Sequence, residues 1–115
     1  MAGFQLKRIY DPASNTDGYR ILVDRLWPRG VKKEAAALDE WNKEIAPSTN
    51  LRKWFDHKPE RFEAFSAQYR EELKTKVPEL ERLHNLAKKR KVTLLYAAKD
   101  EQVNHAVVLK EALES

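Results

Sequence analysis

The sequence predicts an α/β fold, a small and mostly parallel sheet flanked by helices, and three observations carry that prediction. Strand-length segments stand near residue 6, at Tyr19–Val23 and at Val92–Ala97. Helical periodicities fill the long interval between the second and third runs. The last run, VTLLYA, is apolar throughout, as in a strand covered on both faces. With 115 residues the chain can build one core and not two, so a single domain over residues 1–115 is expected.

Phe4 to Tyr10 (FQLKRIY) alternates imperfectly, but its aromatic and β-branched ends favour a strand. The turn-rich stretch Asp11 to Gly18 follows. It is short for a helical crossover, so the first strand either runs parallel through a bare loop or pairs antiparallel through a long hairpin. Tyr19–Val23 is the central strand, and Asp24-Arg25-Leu26-Trp27-Pro28-Arg29-Gly30 is the loop leaving its end. Leu38, Trp41 and Ile45 fall at i, i+3 and i+7, which predicts a helix inside Val31–Ala46. Pro47 ends it, and Ser48 or Thr49 can cap a short helical turn bearing Leu51, Trp54 and Phe55 on one side.

Asp56-His57-Lys58-Pro59 reads as a helix start, followed by Phe62, Phe65, Tyr69 and Leu73 at helical spacing. Val77-Pro78 breaks that helix. Leu80, Leu83 and Ala87 mark the next, which ends in Lys88-Lys89-Arg90-Lys91. After the strand at Val92–Ala97, Asp100 can cap a final helix with Val103, Ala106, Val107 and Leu113 on one face. Lys110 would snorkel outward from that stripe.

Composition removes several functions. The chain has no cysteine, which excludes disulfides, thiolate metal sites and thiol nucleophiles together. His57, His84 and His105 are isolated, without paired ligand spacing, so neither a metal nor a cofactor is expected. No apolar run approaches the roughly 20 residues of a membrane span, and the N-terminus lacks a signal-peptide core, so a cytoplasmic location without membrane association is expected. A formal charge of +4 and a pI near 9.3 suit an anionic partner.

In open parallel sheets, ligands bind beyond the carboxyl ends of the strands. If the strands at 19–23 and 92–97 are parallel neighbours, the loop after Val23 and the loop after Ala97 meet at one edge. Arg25, Trp27, Arg29, Tyr96, Lys99 and Asn104 are then the candidate ligand contacts, and Asp24 and Asp100 the candidate acid–base or orienting groups. Arginine suits planar, bidentate contact with phosphate or carboxylate, and a helix N-terminus adds a positive dipole end. Plainer readings stand beside these. Arg25 can serve a structural ion pair, Trp27 can be packing, Asp100 can be a cap and Lys99 a solvated charge. His57 beside Asp56 reads more simply as part of a helix start than as a catalytic dyad. His105 faces away from Val103 and Ala106, so exposure is expected unless the crevice reaches it. The Lys88–Lys91 run complements a helix C-terminus and lacks the interleaved aromatics of a nucleic-acid patch.

Three stretches together, DGYRILVDRLWPRG (17–30), LRKWFDHKPERFEAF (51–65) and VTLLYAAKDEQVNHAVVL (92–109), resemble the YeaO-like members of the family catalogued as domain of unknown function 488. The likeness covers nearly the whole chain. It implies a Rossmann-like parallel sheet and brings no established biochemical activity. Longer relatives carry a cysteine at the end of the last strand and a Cys-His-Arg step in the following helix. Tyr96 and Asn104 stand at the positions where those thiols are expected, while the Asp24-Arg25 step matches the family pattern after the second strand.

The function expected from the sequence is binding of a phosphate- or nucleotide-like anion at this edge. Whether the protein is also an enzyme is left open, and if it is, hydrolysis or group transfer lacking a thiol is the expected chemistry. A nucleic-acid- or protein-binding module using the basic surface is the second expectation. Oligomeric state is left open.

Overall fold

The computed structural model describes residues 3–115. Four parallel strands form one sheet: β1 (Gly3–Arg8), β2 (Tyr19–Leu22), β3 (Glu40–Trp41) and β4 (Lys91–Tyr96), in the order β1-β4-β2-β3. β4 therefore lies at the centre although it forms last in sequence. Its residues Val92 to Tyr96 are all buried, as the continuous apolar run requires. The open question of the first strand is settled: β1 runs parallel to β4, with Leu6 opposite Leu94.

Alternation along the strands divides the core between the two faces. Val92, Leu94 and Tyr96 join Ile21 and Val23 under a helical layer, α2 (Thr49–Phe55), α3 (Phe62–Leu73), α4 (Val77–Lys89) and α5 (His105–Glu114). Leu22 and Leu95 face the other way, into a smaller cluster with Ile9 and Ala36. There they are covered by Trp27, Val31, Leu38, Trp41 and the single turn α1 (Lys33–Ala36).

The helix expected within Val31–Ala46 does not form. Only α1 is helical. Ala37 then adopts a left-handed φ of 47°, and the chain pairs as β3 with Ile21 and Leu22. The i, i+3, i+7 pattern was satisfied by other means: Leu38 and Trp41 pack in the small cluster, Ile45 in the large one. A buried ion pair secures this region. Arg20, 4% exposed, donates to Asp17 Oδ2 at 2.5 Å and to the Ala36 carbonyl at 2.7 Å.

The remaining helices follow the sequence closely. Ser48 caps α2, its Oγ accepting from Leu51 N–H. On α2, Leu51 and Phe55 are buried, but Trp54 is exposed with Arg61 over its ring. A 3-10 turn at Pro59–Arg61 leads into α3, which buries Phe65, Tyr69 and Leu73. Pro78 stands in the first turn of α4. The last helix starts later than expected. Asn104, not Asp100, is the N-cap of α5, and its buried face is Ala106, Val108, Leu109 and Leu113.

Candidate functional site

The chain leaves β2 toward the small cluster and leaves β4 toward α5 on the helical face, so the two loops diverge at neighbouring strand ends. This is the geometry that opens a crevice in parallel sheets. A cleft of about 800 Å3 lies there, lined by residues 24–29, by Ala97 to Asp100 and Val103 to His105, and by Ala46, Pro47, Arg52, Phe55, His57 and Phe65.

The first loop is held rigidly. Its turn closes through Val31 N–H to the Pro28 carbonyl, with Gly30 at a left-handed φ of 78°. The Trp27 indole donates to the Val31 carbonyl at 2.8 Å and meets Trp41 edge-on at 5.2 Å. Tyr10 donates to the Arg29 carbonyl, tying the loop to the end of β1. Trp27 is thus a packing residue and a cleft wall at once.

Asp24 and His105 form the floor. Asp24 Oδ2 accepts from Ala97 N–H at 3.0 Å, which locks the two loops together. His105 Nε2 lies 2.9 Å from the Val23 carbonyl and 3.1 Å from Asp24 Oδ1. Both neighbours are acceptors, so in the neutral ring Nε2 carries the proton. That one hydrogen points to the Val23 carbonyl, and Asp24 Oδ1 is buried without a donor. His105 is therefore part of the site rather than an exposed residue of α5.

The cations differ in how they are used. Arg25 spends its Nε on the Pro47 carbonyl at 2.9 Å and its Nη2 on the Ala46 carbonyl at 3.2 Å, pinning the loop before α2. Arg52, on α2, lines the cleft with its Nε buried and without any hydrogen-bond partner. Leaving a buried donor unmade costs roughly 1–3 kcal/mol, more for a charged group. Arg29 and Lys99 are exposed at the lip. Among the described residues, none of these four cations pairs with a carboxylate.

Three expected residues do other work. Asp100 lines the cleft, but its Oδ1 accepts from Gln102 N–H at 2.8 Å and Val103 N–H at 2.9 Å, and these bonds hold its pKa below the usual aspartate value. Asn104 is buried, with its Oδ1 on Val107 N–H and its Nδ2 on the Asp100 carbonyl, so its amide is spent on capping α5. Tyr96 is a core residue at 2% exposure and is not part of the cleft lining, contrary to its expected role as a ligand contact. Burial raises its pKa.

Sequence reading missed Arg52, and it assigned Phe55 and Phe65 to helix packing alone. The available signal was Arg52 beside Leu51 and three residues before Phe55, a charge on the edge of an apolar helical face. The Lys88–Lys91 run lies where α4 enters β4, at the amino end of the strands, and so at the opposite end of the sheet from the arginine loop. The two do not form one basic surface. Among the described residues there is no group of three or more His, Asp or Glu that could hold a metal, and no helix long and apolar enough to cross a membrane.

A small parallel-sheet α/β protein with a cationic, apolar-walled cleft at the carboxyl ends of its strands is the class this geometry defines. The chain belongs to the family of domain of unknown function 488: residues 3–115 match the group described as the inactive DUF488-N3 subclade. It is 56% identical over 111 residues to the uncharacterized protein YeaO of Escherichia coli strain K12, covering 96% of each chain. It is 38% identical over 109 residues to the uncharacterized protein Rv3073c of Mycobacterium tuberculosis strain H37Rv, covering 95% of this chain and 92% of that one. The same identity and coverage relate it to the uncharacterized protein Mb3100c of Mycobacterium bovis. No solved structure is a significant match.

Proposed function

We propose that this protein binds a phosphate-bearing or similar small anion in the cleft between the loops that follow β2 and β4. The observation that carries the reading is the set of four cations, Arg25, Arg29, Arg52 and Lys99, lining one cavity with no carboxylate partner. The carboxylates of Asp24 and Asp100 line the same cleft without pairing to these cations, which leaves four cations against two carboxylates in the lining. Arg29 and Lys99 would meet the anion at the entrance. Binding without turnover accords with the description of the subclade as inactive and with the absence of cysteine.

The test is a thermal-shift panel of nucleotides, sugar phosphates and simple anions on the native chain and on Arg29→Ala combined with Lys99→Ala. Both side chains are exposed, so the double variant is expected to fold. A ligand that raises the native melting temperature and leaves the variant's unchanged is the expected result. A panel that shifts neither protein would sink the reading.

A second reading, proton transfer on the bound anion, rests on the Asp24–His105 pair. With Nε2 held by the Val23 carbonyl, Nδ1 has no partner within the protein among the described residues and is free to act as a base. Slow hydrolysis of aryl phosphates that is lost in His105→Gln would support it, and no hydrolysis above that variant's level would exclude it.

A further inference from the structure

The anion site leaves open what kind of molecule carries the anion, and the cleft wall bears on that. A bare phosphate would use the cations and leave most of a cavity of about 800 Å3 unfilled. The wall between the cations is apolar. Phe55 and Phe65 stack with centroids 4.2 Å apart and border the cleft from the core, 5% and 1% exposed, so the open apolar surface is supplied by other residues. Across from them stand the half-buried Trp27 and Leu26, the latter 58% exposed at the lip.

The hydrogen-bonding state of two arginines is the second observation. A guanidinium offers its Nε and one Nη as parallel donors matched to two oxygens of a phosphate or carboxylate. Arg25 has filled that edge with the carbonyls of Pro47 and Ala46. Arg52 lines the same cleft and, among the described residues, its guanidinium makes no hydrogen bond. Its Nε is closed off from solvent, so the terminal Nη pair is the fork a ligand can reach. Arg52 and Phe55 are i, i+3 neighbours on one side of α2, so the unpartnered guanidinium adjoins the apolar wall.

We propose that the ligand is an amphipathic anion. Its planar oxyanion head is held bidentately by the terminal Nη pair of Arg52, and its apolar or aromatic body lies against Trp27, Leu26 and the edge of Phe55. Arg25 positions the loop that carries Ala46 and Pro47 and does not hold the head. This inference rests on the anion-site reading and adds to it the class of ligand and the residue that seats it.

The experiment is isothermal titration of the full chain with 1-naphthyl phosphate, 1-naphthoate and inorganic phosphate. It is repeated on Arg52→Lys, which keeps the charge but loses the fork, and on Arg52→Met, which keeps the apolar stem. The expected result is that at least one naphthyl anion binds the native protein tenfold or more tightly than inorganic phosphate. Both variants should then lose at least tenfold of that affinity with melting temperatures close to native. Which naphthyl anion binds better distinguishes a phosphate from a carboxylate head.

Equal affinity for inorganic phosphate and the naphthyl anions would overturn the amphipathic class while leaving the anion site intact. Naphthyl affinity unchanged in Arg52→Lys and Arg52→Met would overturn the assignment of Arg52. If Arg52→Met does not fold, Arg52→Lys decides that question alone. No binding of any of the three to the native chain would overturn both the inference and the reading beneath it.

Discussion

Asp17 shows how one residue sets a pH limit on this fold. It is 1% exposed, and burial on its own would raise its pKa. Hydrogen bonds from Ser14 N–H, Lys7 and Arg20 outweigh that burial and hold it below the ordinary value of 3.8. A carboxylate with a depressed folded pKa contributes stability that is present above its unfolded value and lost as pH falls through the folded one. Asp17→Asn is therefore expected to destabilise the protein by about 3–5 kcal/mol at pH 7, because it leaves Arg20 buried without its partner. The gap between variant and native urea midpoints should narrow below pH 3.8. A gap that stays constant with pH would disprove the charge-based account. At the site itself, His105 should show the Nε2–H tautomer in nitrogen-detected NMR at pH 8, and Asp24→Asn should leave that tautomer in place because the Val23 carbonyl also fixes it.

Among the elements, α2 is the one on which the cleft depends most, since it carries Arg52 and Phe55. Ser48 caps it and also donates to Glu72 Oε2 at 2.6 Å. Ser48→Ala should cost about 1 kcal/mol from the cap, with a further loss at Glu72 Oε2, whose donor is removed while Oε1 keeps the backbone N–H of residue 48, measurable as a lowered urea midpoint. The other end of α2 is strained in the opposite sense. Asp56 and His57 both have left-handed φ, 48° and 56°, where only glycine is unhindered. Asp56→Gly is expected to stabilise the chain by up to about 1 kcal/mol, and a fall in melting temperature would refute that account. A helical pattern also misled at this scale: Leu38, Trp41 and Ile45 served a two-residue edge strand and its flanks. Periodicity reports which residues are buried, and a segment wrapped over a sheet edge can bury the same positions without turning as a helix.

For the molecule as a whole, the sheet order puts the cationic loop and the basic Lys88–Lys91 run at opposite ends of the strands. A ligand seated in the cleft should therefore show a shallow dependence on salt, with a slope far below that of a protein neutralising several phosphates of a duplex. Titration of the cleft ligand between 50 mM and 200 mM salt checks this, and a loss of a thousandfold or more would point to a nucleic-acid track instead. The centrality of β4 makes a second expectation: Leu94→Ala, in the wholly buried middle strand, should cost about 2–5 kcal/mol in equilibrium unfolding.

The central strands, a long helix and the end of the sheet where the cleft opens were written in local sequence. VTLLYA specified a strand covered on both faces, Phe62 to Leu73 a helix, and Asp24 to Gly30 a loop at a strand end. These depend on the periodicity and turn chemistry of neighbouring residues. What tertiary structure alone decided were matters of partnership across the chain. It placed β4 between β1 and β2, and it engaged Arg25 with carbonyls 21 and 22 residues away. It also brought His105 against Asp24 and withdrew Tyr96 into the core. A side chain's type says which bonds it can make, but which of them are already made depends on groups distant in sequence. The unpartnered guanidinium of Arg52 and the committed one of Arg25 are two outcomes of the same chemistry, separated only by what the fold packs beside each.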